Sequence, residues 1–269
     1  MKQNTKIIYL ENRGLLSLSG ADKKSFLQAI ITNDIEELAT DNPIYAALLT
    51  PQGKYLFDFL ISQNADGSLI YIDCELERVG LLFNKLTMYK LRADVEIKNI
   101  SDEYRLWAVL DGDQGLKDPR HSGLGRRLIL SSDQQPSGEQ VPLAEYETLR
   151  LKLAIPDASR DIEVDKRPVL EANFIDLNGV SFTKGCYVGQ EVTARMQYRN
   201  AVRKRLYGIS FAEDAPQSGT IIYANDKKAG HVLSSQNHLA MALIKNEYIN
   251  DEVELTADGK TIVINQTTS

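Results

Sequence analysis

Phe182-Thr-Lys-Gly-Cys-Tyr-Val-Gly-Gln-Glu191 is the stretch on which the reading of this chain turns. Gly185 and Gly189 bracket Cys186 and Tyr187, Lys184 stands two positions before the thiol, and Gln190-Glu-Val-Thr-Ala-Arg-Met196 begins a helix-like pattern directly afterwards. An ammonium and a helix amino terminus beside a sulfur both favour thiolate, which would make Cys186 reactive. A glycine-permitted turn with the cysteine packed beneath it explains the same spacing, and spacing alone leaves the two readings open.

Charge gathers around this stretch. Between Lys184 and Tyr207 six bases (Lys184, Arg195, Arg199, Arg203, Lys204, Arg205) face one acid, Glu191. The whole chain holds 31 bases and 37 acids, so the remainder carries 25 against 36. A basic seam in an acidic protein invites an anionic partner: a small polyanion, an RNA phosphate run or an acidic protein. A solvated charge run is the plain alternative.

Upstream, Leu16 and Leu18 alternate as in a strand, and Ser19-Gly-Ala-Asp22 opens a helix with a capping-box-like start and Phe26, Leu27, Ile30 and Ile31 on one face. The β-type runs 45–49, 55–61 and 69–72, punctuated by Pro51-Gln-Gly53 and Asn64-Ala-Asp-Gly67, predict an antiparallel sheet. Val79, Leu82, Phe83, Leu86 and Lys90 recur at helical spacing, with Lys90 able to snorkel at the end of the stripe. Strand-like runs resume at 95–100, 106–110 and 127–130, followed by a polar connector at 131–138 and a helix marked by Tyr146, Leu149 and Leu153. Five short β runs after residue 206 predict a small sheet or barrel.

Against a typical domain of about 150 residues, a chain of 269 suits one large domain or two to three small ones. Its 43% hydrophobic and 25% charged residues exclude disordered and collagen-like classes. Two cysteines 112 positions apart make neither a secreted disulfide framework nor a zinc site, so no metal ligands are assigned and a reducing compartment is expected. Met1 to Tyr9 lacks the apolar stretch of a signal peptide and the Arg-rich pattern of a transit peptide, and no apolar run reaches bilayer length; the expectation is a cytoplasmic protein with no membrane segment. P-loop, dinucleotide fingerprint, nucleophile elbow and paired metal-spaced histidines are all missing. His121, His231 and His238 read as surface or packed residues, and Cys74 as a buried small hydrophobe.

The string Lys184 to Glu191 resembles the Lys-Gly-Cys-Tyr-x-Gly-Gln-Glu signature of the YgfZ family of folate-binding proteins. Arg13 to Gly20, Phe26-Leu-Gln28, Ile31-Thr-Asn-Asp34, Leu49 to Lys54 with Asp58, Leu170-Glu-Ala172, Ala229 to Ser235 and Leu239 to Leu243 fall in that family's order. The resemblance implies an α+β fold like the T-protein of glycine cleavage: a three-domain ring around a tetrahydrofolate channel, ending in a small β-barrel. The implied regions are 1–135 and 136–205, which together form the folate-binding part, and 206–269, the barrel. The implied role is making or repairing iron-sulfur cluster enzymes, some of which modify tRNA, with folate and client or assembly proteins as partners and a monomeric state.

Folate needs an apolar slot, a carboxylate for the amino-pyrimidine edge of its pterin, and cations for its glutamate tail. By resemblance, Glu171 takes the pterin edge and Asp58 stands where the T-protein acid works beside the folate nitrogen. Asn33, Gln52 and Tyr187 belong to the channel, and Arg195 or Arg199 holds the tail. Cys186 acts as a thiolate favoured by Lys184. T-protein carries two adjacent aspartates where this chain reads Leu56-Phe-Asp-Phe-Leu60 with one, which argues against the alternative of an aminomethyltransferase. A third alternative is an RNA or protein docking module on the Arg195 to Arg205 seam.

Overall fold

Ile44-Tyr-Ala-Ala-Leu-Leu49 contains no charged residue, and a strand of that composition has to be covered on both faces. In a computed structural model, which describes residues 5–250 and 253–265, that condition organises the first half of the chain. Strands β1 (Lys6–Tyr9) and β2 (Arg13–Ser19) lead into α1 (Lys23–Ile30). Then come β3 (Ile44–Leu49), β4 (Tyr55–Gln63), β5 (Ile70–Glu75), α2 (Val79–Lys90) and β6 (Glu96–Asn99). The antiparallel sheet β3-β4-β5-β2-β6 turns Ile44, Ala46 and Leu48 toward α1 and α2, and Tyr45, Ala47 and Leu49 toward the centre of the molecule. Phe26, Leu27, Leu82 and Leu86 fill the helical side; each fully buried leucine there contributes about 1.5–3 kcal/mol.

The expected capping box at Ser19 to Asp22 does not form, since Asp22 makes no side-chain cap bond to α1. Its carboxylate instead accepts the Asp94 amide at 2.8 Å, and its own amide donates to the Asp94 carbonyl, which ties the helix start to the segment entering β6. Lys90, half-buried at the end of α2, donates its ammonium to the Val95 carbonyl at 2.8 Å and closes the turn after the helix.

The second sheet runs β10-β1-β7-β9-β8, from β7 (Tyr104–Leu110), β8 (Leu116–Lys117), β9 (Arg126–Ser131) and β10 (Glu139–Gln140). Sequence reading missed β1, whose four residues pair antiparallel with β7 and parallel with β10. The chain thus enters the second sheet, builds the first, and returns to complete the second. Helix α3 (Leu143–Lys152), the short α4 (Ala158–Asp161) and α5 (Gln190–Tyr198) follow.

The carboxy-terminal sheet is a nearly closed barrel of seven strands: β11 (Lys204–Ser210), β12 (Ile221–Ala224), β13 (Lys227–Gln236), β14 (Leu239–Lys245), β15 (Leu255–Ala257), β16 (Lys260–Thr261) and β17 (Val263–Ile264). Alanines at 224, 229, 240, 242 and 257 let its walls close tightly around Ile209, Ile222 and Ile244. Leu206, Met241 and Leu243 point outward into the central core beside Tyr146 and Leu151 of α3. Arg150 fastens that junction, donating to Glu147, Asp161 and the Ser234 hydroxyl of β13. Among the described residues no helix is long and apolar enough to cross a membrane.

Candidate functional site

The segment from Asn178 to Gly189 has no regular structure, and its backbone is instead laced to residues 28–33. Thr32 donates its hydroxyl to the Gly179 carbonyl at 2.6 Å, Asn33 its amide to the Asn178 carbonyl at 2.8 Å, and Ser181 and Val188 return amide bonds to Thr32 and Ala29. Lys184 is buried at the middle of the seam. Its ammonium donates to the carbonyls of Gln28, Ile31 and Asn33 at 2.8, 2.8 and 2.7 Å, which uses all three protons. Burial pulls this ammonium down to about 8, while Asp34 and the three carbonyl acceptors pull the other way and hold the charged form at neutral pH. The Tyr187 ring lies 5.1 Å from the ammonium, and burial pushes its phenol up to about 12.

Cys186 is exposed on this seam, and Cys74 is buried. Gly189 caps α5 at φ +84°, where a Cβ would meet the Thr50 carbonyl oxygen at 2.5 Å. Gly53 faces it at φ +73°, with its Cα 3.1 Å from that same Cβ position. The two turns interlock only as glycines. Gly185, next to the thiol, has open space around its missing side chain. Gln52 is exposed at the tip of the facing turn. Arg195 is exposed on α5 in an ion pair with Glu191, and Arg199 is exposed just past the end of the helix.

Asp58 and Asn33 sit deeper. Asp58 accepts the Tyr45 hydroxyl on one oxygen at 2.9 Å and the Tyr55 hydroxyl on the other at 2.5 Å. Burial and then the Asp58 charge hold both phenols well above their ordinary range, so both are donors. Asn33 gives its amide protons to the Tyr45 and Asn178 carbonyls and accepts the Asp34 amide, which makes it a hinge pin of the seam. Glu171 is half-buried and paired with Arg167 at 3.2 Å.

Between the first two sheets lies a cavity of about 270 Å³, walled by Leu60, Tyr71, Leu116, Leu128 and Ile129 among others, with Asp73 and Arg127 in its lining. None of the residues singled out from the sequence lines it. Its charged groups belong to a buried network: Arg13 donates to Asp73 at 2.6 Å, Arg120 to Asp118 at 2.7 Å, and Arg127 to Asp118 at 3.2 Å. Asp73 Oδ2 and Arg127 Nη1 face each other at 3.4 Å without hydrogen-bond alignment, and both are buried with no hydrogen-bond partner. The sequence signal for this network is a set of charges inside apolar strands, as at Ile72-Asp73-Cys74; read singly, each looks like a surface residue. Among the described residues no group of three or more His, Cys, Asp or Glu gathers as a metal site.

Residues 203–267 match the family model described as the CAF17 C-terminal beta-barrel domain. The chain is similar to the mitochondrial iron-sulfur cluster assembly factor IBA57 of Mus musculus (30% identity, covering 94% of this chain and 81% of that protein) and of Homo sapiens (29%, 92% and 80%). The homolog of Neurospora crassa is 31% identical over 78% of this chain and 56% of its own. Among solved structures, the glycine cleavage system aminomethyltransferase T of Bartonella henselae superposes with a TM-score of 0.79 over 98% of this chain and 86% of its own; at 12% identity this shows the fold alone. The T-protein-like α+β architecture with a terminal barrel is therefore the fold of this chain. The relatives carry the IBA57 name rather than that of YgfZ, which the motif resembles. They also overturn the cytoplasmic expectation, since each is named as mitochondrial. The error has a physical reason: two unpaired thiols and an acidic composition mark a reducing aqueous compartment, and the mitochondrial matrix is one as well. With 30% identity across four fifths of the mouse protein, the chain belongs to the IBA57 family, whose members are named iron-sulfur cluster assembly factors.

Proposed function

We propose that this chain works in iron-sulfur cluster assembly by presenting Cys186 as a single thiolate ligand to iron held by a second protein. The observation that carries the reading is an exposed thiol on an irregular loop whose flanks are fixed by Lys184, Tyr187 and the Gly53–Gly189 interlock. One cysteine cannot hold a cluster, so the remaining ligands come from the partner. Exposed Arg195 and Arg199 offer that partner's acidic surface a complement.

The same proposal includes a tetrahydrofolate site in the cavity between the sheets. Its volume and apolar walls suit a flat pterin, Asp73 Oδ2 supplies the acceptor for an amino-pyrimidine edge, and Arg127 Nη1 a donor for the ring carbonyl. On this reading Asp73 replaces Glu171 at the pterin edge, because Glu171 is spent on Arg167 and lies outside the cavity lining. Aminomethyl transfer is disfavoured by Asp58, both of whose oxygens are already occupied by tyrosine hydroxyls.

The test is complementation of cells lacking the relative, reading the activity of cluster-dependent enzymes. Wild type should restore them and Cys186→Ala should not; full restoration by the variant removes the thiol from the mechanism. Calorimetric titration with tetrahydrofolate should show binding that Asp73→Asn weakens and Glu171→Ala leaves intact, and the reverse ranking returns the pterin to Glu171.

A further inference from the structure

On the outer face of the barrel, residues 159–167 and strands β12, β13 and β14 enclose a cleft of about 380 Å³, which shares Lys228, His231 and Leu243 with a second recess of about 170 Å³ that β11 also lines. Its apolar floor includes Ile221, Leu233 and Leu243. Basic side chains rim it: Arg160 and Arg167 from the segment, Lys228 and the imidazole of His231 from β13, Lys204 from β11 and Lys245 from β14.

The acids present are already committed. Asp161 is buried and accepts from Arg150, the Asp157 amide and the Ser234 amide. Glu163 pairs with Lys166 and Arg167, and Glu247 stands 3.7 Å from Lys245. Lys204 and Lys228 have no ion-pair partner among the described residues, and the His231 side chain makes no hydrogen bond there. The chain as a whole is negative by six charges, so two lysines without an ion-pair partner beside a concave, apolar-floored space run against its composition. Burial, followed by the charges of Arg167 and Lys228, holds the His231 imidazolium below its ordinary range, with Glu163 only partly opposing them.

We infer that the Lys204–Lys228–His231 cleft is a binding site for a small polyanion carrying phosphate or carboxylate groups. No phenylalanine, tyrosine or tryptophan lines it, so it lacks the broad stacking platform of a single-stranded nucleic-acid groove. Ammonium and imidazole donors converging on a recess suit compact anionic groups, and the guanidinium forks that would favour an extended acidic surface are turned to Glu147, Glu163 and Glu171. The site stands apart from Cys186 and from the cavity between the sheets, and the inference does not depend on either.

The chain has three histidines, so His231 can be followed by proton NMR in the intact protein against His121 and His238. Pyrophosphate and citrate are titrated separately, with sodium chloride at matched ionic strength as control. Either anion should raise the His231 midpoint by about 0.5 pH or more beyond the control, while the other two histidines move only with salt. The anion giving the larger shift identifies phosphate or carboxylate as the recognised group. Lys204→Ala with Lys228→Ala, the first half-buried and the second exposed, should weaken that response about tenfold. No shift beyond the chloride control, equal shifts at all three histidines, or an unchanged response in the double variant would overturn the inference.

Discussion

Replacing Lys184 by methionine keeps the length and apolar stem of the side chain and removes only its charged head. Three carbonyls lose their donor. That of Gln28 is partly exposed and can turn to water, but those of Ile31 and Asn33 are bonded to Lys184 within the buried seam. At about 1–3 kcal/mol for each buried acceptor left without a partner, Lys184→Met should cost about 2–6 kcal/mol. Burying the ammonium has its own cost, which keeps the expectation near the middle of that range, about 4 kcal/mol. Urea denaturation followed by far-ultraviolet circular dichroism measures it directly, with an unchanged slope confirming that the midpoint shift reports stability. Lys184→Arg separates charge from shape: a planar guanidinium cannot point three donors at three carbonyls converging on one nitrogen, so it should recover less than half of the loss. A Lys184→Met protein within 1 kcal/mol of wild type would refute the reasoning, because the lysine would then be free to serve the thiol instead of the fold.

Other outcomes follow from the same geometry. Gly189→Ala should cost about 3 kcal/mol or more, through positive φ and the clash with Thr50, whereas Gly185→Ala should stay within about 0.5 kcal/mol; thermal melts of the two variants check the contrast. Arg150→Met should lose about 3–5 kcal/mol and loosen the barrel from α3, leaving Glu147 and Asp161 without their shared cation, which limited proteolysis near residue 202 and urea midpoints would detect. Brief iodoacetamide treatment of the folded protein should add one adduct by mass spectrometry, at Cys186, since Cys74 is buried and pushed up to about 12; an adduct at Cys74 would contradict its placement. Burial works to raise the Asp118 carboxyl, but Arg120 and then Arg127 overcome it and hold the group well below its usual range. The unfolded chain therefore takes up the proton first, and the stabilisation, full above about pH 4, is lost as pH falls below it; Asp118→Asn should be less stable at neutral pH and flatter in acid.

Much of this architecture was legible in local pattern. Helix α2 was announced by Val79, Leu82 and Leu86, and the first sheet by strands broken at Pro51-Gln-Gly53 and Asn64 to Gly67, because burial of an apolar stripe decides such elements within a few residues. What stayed hidden depends on partners distant in sequence. Strand β1 is too short to signal itself and exists because β7 and β10 lie on either side of it. The same distance explains the site. Lys184 looked like a neighbour acting on Cys186 since two positions separate them, yet its ammonium lies against carbonyls more than 150 residues earlier in the chain. Asp58 looked like a reactive acid until Tyr45 and Tyr55 were brought to its two oxygens.

The two glycines of the Lys184 to Glu191 string that flank Cys186 and cap α5 carry opposite meanings, and this bears on what the string is for. Gly189 is demanded by the fold: its φ and the Thr50 oxygen leave room for no side chain, and Gly53 answers it across the interlock. Lys184 and Tyr187 are likewise occupied inside the molecule, one by carbonyls and the other by burial. Gly185 and Cys186 are not, since among the described residues, chain neighbours aside, nothing lies within 4 Å of a Cβ at position 185 and the thiol is exposed. A string in which the lysine, tyrosine and second glycine build a rigid cradle, while the cysteine and the first glycine are left bare, is arranged for something to approach the sulfur closely from outside. Bulk at position 185 should therefore impair cluster-enzyme restoration while leaving the melting temperature where it was. If Gly185→Val restores activity as fully as wild type, close approach at that face is not required and the contact assigned to Cys186 loses its geometric support.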